Sequence, residues 1–131
     1  MLRVLLKVDQ VSMRIKETVQ IHLVIRKGVK NFTHSRNHSL QHGELTLDST
    51  SEFFVEREQP FFDIEIYLLM GDLKKRGGVV HLNLLNYAIN TSHRIQAPIE
   101  DSPLHHSKLL IDFVYMQAGE GVPHSQLVSL N

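Results

Sequence analysis

The chain has 131 residues, 42% of them apolar, which suits one hydrophobic core and is too short for two separate ones. Its 14 basic and 14 acidic residues cancel to a formal net charge of zero, excluding a global field toward nucleic acid or anionic lipid and leaving only local patches. The absence of cysteine excludes disulfide staples, thiolate nucleophiles and cysteine-based zinc sites.

The opening "MLRVLLKVDQV" lacks the apolar stretch and small-residue cleavage site of a signal peptide, and no run approaches the roughly 18 apolar residues of a membrane span. The expected location is the cytoplasm, with any membrane or cytoskeletal association made through the surface.

From the start the pattern alternates at period two, which turns one face of a strand to a core and the other to solvent. Leu2, Val4, Leu6 and Val8 are the first set, with Arg3 and Lys7 between them. Val19, Ile21, Leu23 and Ile25 are the second. Asn31 to Leu40 is polar and edge-like, and Glu44 to Leu47 and Glu52 to Glu56 are short weaker strands. Phe62, Ile64, Ile66 and Leu68 alternate with Asp63, Glu65 and Tyr67, and Val80, Leu82 and Leu84 alternate with His81 and Asn83. Ile95 to Pro98 is another weak strand, and Leu109, Ile111, Phe113 and Tyr115 close the series.

Turn signals such as "KG", "HG", "EQP", "KKRGG" and "EDSP" separate these segments, predicting about eight strands in an antiparallel β-sandwich. No amphipathic helix of ten or more residues is expected; a short helical turn fits "LNYAINTS" or the stretch from Gln10 to Lys16. From Ala118 the tail "AGEGVPHSQLVSLN" turns polar and glycine-rich. The expected organisation is a domain over residues 1–117 and a flexible linker over 118–131, leading toward a further C-terminal region of a larger protein.

The order of the segments carries a resemblance. "RKGVKNFTHSRN", "GELTLDSTSEFFVERE", "PFFDIEIYLLMGDLKKRGGVVHLNLLNYA" and "APIEDSPLHHSKLLIDFVY" succeed one another after two apolar strands. This resembles a C2 domain, specifically the amino-terminal type (NT-C2) of coiled-coil and cytoskeleton-linked adaptor proteins. Its most telling part is a strand, a charged hairpin with Lys74, Lys75 and Arg76, then Gly78 opening a strand that ends on Asn83, Leu84, Tyr87 and Ala88. The resemblance implies an all-β, C2-like sandwich of eight strands in a scaffold protein. Within it Gly78 and Tyr87 are structural, Gly78 giving a turn or close backbone approach and Tyr87 packing its ring with its hydroxyl on backbone.

Calcium-dependent C2 domains gather loop carboxylates, because the ion wants roughly six to eight oxygen ligands. Asp9, Asp48, Asp63, Asp72, Asp101 and Asp112 are instead scattered, and "RKGVKNFTHSRN" is basic where a metal loop would be acidic, so the module is expected to be calcium-independent. His34, His38 and His42 share a strand face at intervals of about 13 Å, too far apart for one ion. His105 and His106 are adjacent. No metal, cofactor or catalytic residue is assigned. There is no Gly-x-Ser-x-Gly elbow and no phosphate loop, so an enzyme is not expected.

What stands out is local positive charge: Arg14 and Lys16 near the first loop, Arg26, Lys27 and Lys30 in the next turn region, and Lys74, Lys75 and Arg76. These are the candidate lipid- or partner-binding residues. The expected function is non-catalytic attachment to a membrane surface or a cytoskeletal protein. One alternative is an anionic-lipid (phosphoinositide) domain using the basic tips; another is a protein-interaction domain meeting a partner or a second copy through an edge strand or through Phe54 and Phe61. The alternative from another class, a small metal-dependent hydrolase, requires a deep pocket of converging His and carboxylate groups. Nucleic acid is not an expected partner, since basic excess and an aromatic stripe are both missing.

Overall fold

The computed structural model describes residues 1–28, 30–34, 37–104 and 106–119, and only the backbone of residues 30–34, 48 and 49. Within them are β1 (Leu2–Ser12), β2 (Val19–Lys27), β3 (Lys30–His34), β4 (His38–Leu40), β5 (Glu44–Val55), β6 (Phe61–Met70), β7 (Leu73–Asn83), a 3-10 turn (Leu84–Asn86), β8 (His93–Pro98) and β9 (Lys108–Gln117). They form two antiparallel sheets facing one another. The first has the order β5-β1-β9-β8; the second has β3-β2-β6-β7, with β4 pairing the opening residues of β2.

The alternating apolar sets meet between the sheets. Val4 and Leu6 of β1, Ile21 of β2, Phe62, Ile64 and Ile66 of β6, Leu82 of β7 and Ile111 of β9 are buried in one core cluster. Each such burial contributes about 1.5–3 kcal/mol. Phe53 and Phe62, one from each sheet, meet edge to face with ring centres 4.8 Å apart.

The structure refines the expected strands at four places. β1 continues past Val8 to Ser12, because Asp9 is an extra residue at a bulge: Val8 pairs Ile111, and Gln10 already pairs Leu110. Beyond the bulge the inward phase changes, so Val11 and Met13 are buried where a helical turn was expected. The two short strands at 44–47 and 52–56 are one strand, β5, whose positions opposite Val8 and Leu6 are filled by Ser49 and Ser51 rather than by apolar residues. Conversely, the edge strand expected over 31–40 is two pieces, β3 and β4, lying along successive parts of β2.

The fourth place is the charged hairpin. Its turn is Gly71 and Asp72, with Gly71 at φ +60°, and Lys74, Lys75 and Arg76 already pair with Leu69, Leu68 and Tyr67 as the first part of β7. The basic residues therefore run along an edge strand and do not form the turn itself. Gly78 lies inside β7 at φ +137°, where a Cβ would come 2.3 Å from Ile99 Cγ2 and 2.8 Å from the Glu100 carbonyl oxygen. This approach lets Val79 and Glu100 exchange backbone hydrogen bonds of 2.9 and 2.8 Å, bringing the segment after β8 to the β7 edge of the other sheet.

The expected short helical turn is present at Leu84–Asn86, with the Asn83 side chain accepting from Leu85 N–H and Leu84 fully buried. Tyr87 packs its ring on Phe113, centroids 4.9 Å apart. The hydroxyl bond at this corner comes from Tyr115, which donates to the Tyr87 carbonyl at 2.5 Å.

Candidate interaction surface

Register divides the loops between two ends of the sandwich. Ser12 pairs Glu44 and Lys108, Val19 pairs Leu40, and Gln20 pairs Leu69. The β1–β2, β4–β5, β6–β7 and β8–β9 connections thus share one end. At the other lie the β2–β3 turn, the β5–β6 loop, the β7–β8 connection, Met1 and Gly119.

At the first end the β6–β7 turn exposes Met70 (44%) and Leu73 (70%) on either side of Gly71 and Asp72. Lys74 and Lys75 follow directly, both exposed. Across from the turn, the β1–β2 loop carries Arg14 and Lys16, also exposed. A groove of about 580 Å³ lies between loop and turn, lined by Glu17, Thr18, Val19, Gln20, Leu69, Met70 and Gly71. The result is an apolar tip followed by Lys74 and Lys75, with Arg14 and Lys16 at the same end beside the β4–β5 turn and Glu17 and Asp72 as acids of the loop and turn.

A chain of contacts crosses the outer face of the second sheet from this end to the other. Lys74 Nζ stands 4.5 Å from the centre of the Tyr67 ring. The Tyr67 hydroxyl donates to Glu65, which is buried and forms an ion pair of 3.0 Å with Arg26. The bond to Glu65 is the main cause of a raised Tyr67 pKa, with burial and the nearby carboxylate charge adding to it. Arg76 is exposed opposite Tyr67.

Arg26 and Lys27 belong to the far end and are engaged there. Arg26 also donates to the Gly28 carbonyl at 3.1 Å. Lys27 donates to the Gln59 carbonyl and stands 4.3 Å over the ring of the exposed Phe61. Lys30 begins β3, with its side chain outside the described residues. Gln20 and Arg26 are six positions apart on β2, about 20 Å at the strand rise. The eight basic residues therefore divide: Arg14, Lys16, Lys74 and Lys75 share one end, Arg26, Lys27 and Lys30 the other, and Arg76 lies between.

Among the described residues Asp9, Asp63 and Asp112 are committed to other side chains. Arg94 donates at 2.7 Å to both Asp9 and Asp112, and Asp63 is 2.6 Å from His81 Nδ1. Among the described residues no group of three His, Asp or Glu side chains is placed to hold a metal ion. His38 is in β4 and His42 in the following turn at φ +54°, so they do not share one strand face. The His34 side chain and His105 lie outside the described residues.

With this geometry the chain is similar to solved structures at low sequence identity. It matches a C2 domain with a TM-score of 0.67 and 10% identity, over 88% of this chain and 98% of the other. The fold is that of a C2 domain. A C2 domain of plant extended synaptotagmin 1 gives a TM-score of 0.68 at 13% identity, over 90% and 96% of the two chains. Human GIVD cytosolic phospholipase A2 gives 0.69 at 10% identity over 90% of this chain but only 16% of the enzyme, a shared C2 sandwich that transfers no activity. No family model matches the sequence, and no curated protein matches it. Among the described residues no helix is long and apolar enough to cross a membrane.

Within this C2 fold, Met70 and Leu73 are the surface residues that sequence reasoning missed. Met70 continues the inward phase of Leu68, so it reads as core. The available signal was the Gly-Asp pair: a two-residue turn places its flanking residues beyond the facing sheet.

Proposed function

We propose that the chain is a non-catalytic, calcium-independent C2 attachment module of the amino-terminal type found on cytoskeletal scaffold proteins, comprising residues 1–117 with a linker from Ala118, and that it holds an anionic membrane surface with its β6–β7 end. One observation carries the membrane part: Met70 and Leu73 protrude beside Lys74 and Lys75, with Arg14 and Lys16 exposed in the β1–β2 loop at the same end. Apolar side chains of this kind enter the headgroup region, while each basic residue near an anionic surface contributes about 1 kcal/mol. Four give roughly 4 kcal/mol, about a thousandfold in partitioning at low salt. Calcium independence is supported by the ties of Asp9, Asp63 and Asp112 to Arg94 and His81. The non-catalytic reading rests on likeness to isolated C2 domains.

A second reading, attachment to a protein partner, is favoured by Phe54, 37% exposed on β5, and by Phe61, 46% exposed at the far end. Vesicle flotation separates the two. The membrane reading expects the 131-residue chain to bind vesicles containing phosphatidylserine or a phosphoinositide at low salt, to release them at high salt, and to ignore purely zwitterionic vesicles. Met70→Ser with Leu73→Ser, and Lys74→Glu with Lys75→Glu, each lower binding at least tenfold. Absence of binding to anionic vesicles at low salt would sink the membrane reading and leave the protein partner.

A further inference from the structure

The two sheets end in free edges of opposite sign. In the first sheet β5 has β1 on one side only beyond Glu44, whose other side is bridged to Gln41, and past that bridge it carries Asp48 and Glu52 with no lysine or arginine. In the second sheet β7 has β6 on one side only, and over Leu73–Asn83 it carries Lys74, Lys75 and Arg76 with no aspartate or glutamate. The bridge from Val79 to Glu100 covers β7 beyond Gly78, leaving Leu73 to Arg76 open. These edges face opposite sides of the sandwich, since β5 borders the β3 and β4 side while β7 borders the segment after β8.

Charges on an edge strand oppose pairing of like with like, so β5 repels a second β5 and β7 a second β7. Between β5 and β7 the same charges attract. We infer that copies of this chain associate head to tail, the β7 edge of one adding to the β5 edge of the next. An antiparallel register with Glu52 opposite Lys74 sets Thr50 opposite Arg76, with Glu52 at a diagonal position beside Arg76. Glu52 and Lys74 both belong to solvent faces, Glu52 pairing Leu5 on the outer side of β1 and Lys74 pairing Leu69 on the outer side of β6. Because two different surfaces meet, a pair still has one free edge of each sign, one on each copy, and the assembly is an open chain rather than a closed dimer. The contact shares Lys74 with the attachment surface but needs no lipid.

Sedimentation equilibrium of the full chain without lipid tests this. At about 0.01 M ionic strength the average mass rises with concentration beyond a dimer, and at about 1 M it returns to the monomer, because the Debye length falls from roughly 30 to roughly 3 Å. Lys74→Glu with Arg76→Glu abolishes association, and so does Asp48→Lys with Glu52→Lys, which leaves the basic row and vesicle binding intact. Mixing the two variants in equal amounts restores association, since each supplies the edge the other needs. Circular dichroism verifies the fold of each; if one variant unfolds, the other alone must still be monomeric. A wild type that stays monomeric at low salt, a mass that levels at the dimer, a folded edge variant that still associates, or a mixture of folded variants that stays monomeric overturns the inference.

Discussion

Gly78→Ala is the most informative single substitution for the fold. At φ +137° an alanine is strained by about 1–3 kcal/mol. Its methyl also cannot stay 2.3 Å from Ile99 Cγ2 and 2.8 Å from the Glu100 carbonyl, so the segment after β8 must withdraw from Val79. Losing the two Val79–Glu100 hydrogen bonds costs about 0.5–1.5 kcal/mol each. The expected loss is about 2–6 kcal/mol, a large part of the roughly 5–15 kcal/mol that holds a domain together. For a chain of this length it lowers the melting temperature by roughly 6–20 °C. Urea unfolding followed by circular dichroism measures it, with the midpoint moving and the slope unchanged. Gly71→Ala is the control: φ there is +60° with nothing within 4 Å of the added methyl, so only backbone strain of about 1–2 kcal/mol applies. If Gly78→Ala is no more destabilising than Gly71→Ala, the close approach between β7 and the segment after β8 is refuted.

Two further outcomes follow from charged groups. The hydrogen bond to Asp63 raises the His81 pKa above its usual value, partial burial opposes this, and the Asp63, Glu100 and Asp101 charges add to it. The stabilisation from protonated His81 is therefore fully present below about pH 6.5 and fades as pH rises through the raised value; Asp63→Asn flattens that part of the stability profile, and a histidine titration by NMR that shows no upward shift would contradict it. Arg3 is buried on the outer side of β1, with Nε and Nη1 lacking hydrogen-bond partners and the guanidinium 5.3 Å from the Phe54 ring centre. Arg3→Met is expected to leave stability unchanged or raise it by about 1–3 kcal/mol, since unsatisfied buried donors are removed and the methionine keeps much of the packing; a loss of about 1 kcal/mol or more in urea unfolding would show that the cation–ring contact dominates.

The sandwich was legible wherever one residue in two was apolar without interruption. Ile21, Leu23 and Ile25, or Leu109, Ile111 and Phe113, announce both a strand and its inward face, because a facing sheet rewards that spacing. Legibility failed where register departs from the simple repeat. The extra Asp9 inverts the phase of β1, so Val11 and Met13 no longer continue the set begun by Leu2. Ser49 and Ser51 sit at the β5 positions opposite Val8 and Leu6, and polar residues there read as a break between two strands. For the candidate surface the residue types were visible and their grouping was not. Neighbours in space are set by which strands pair, so Arg14 comes to the same end as Lys74 while Arg26, equally basic, lies about 20 Å away along β2 and is held by Glu65. The ring contact of Lys74 with Tyr67 also arises from pairing, because Leu69 opposite Lys74 is two residues from Tyr67 on the same strand.

The β1–β9 ladder joins the first and last strands of the sandwich, and the Ala118 N–H donates to the Met1 carbonyl at 3.0 Å. Both exits of the polypeptide therefore leave from one corner, at the pole remote from Met70 and Leu73. A module joined ahead of Met1 or directly after Gly119 would leave from that pole, away from whatever those two side chains grip. The same corner brings together segments more than a hundred residues apart, so closure of the first sheet waits for β9, and a nascent copy on the ribosome would keep β1 unzipped on its β9 side until the end of β9 had emerged.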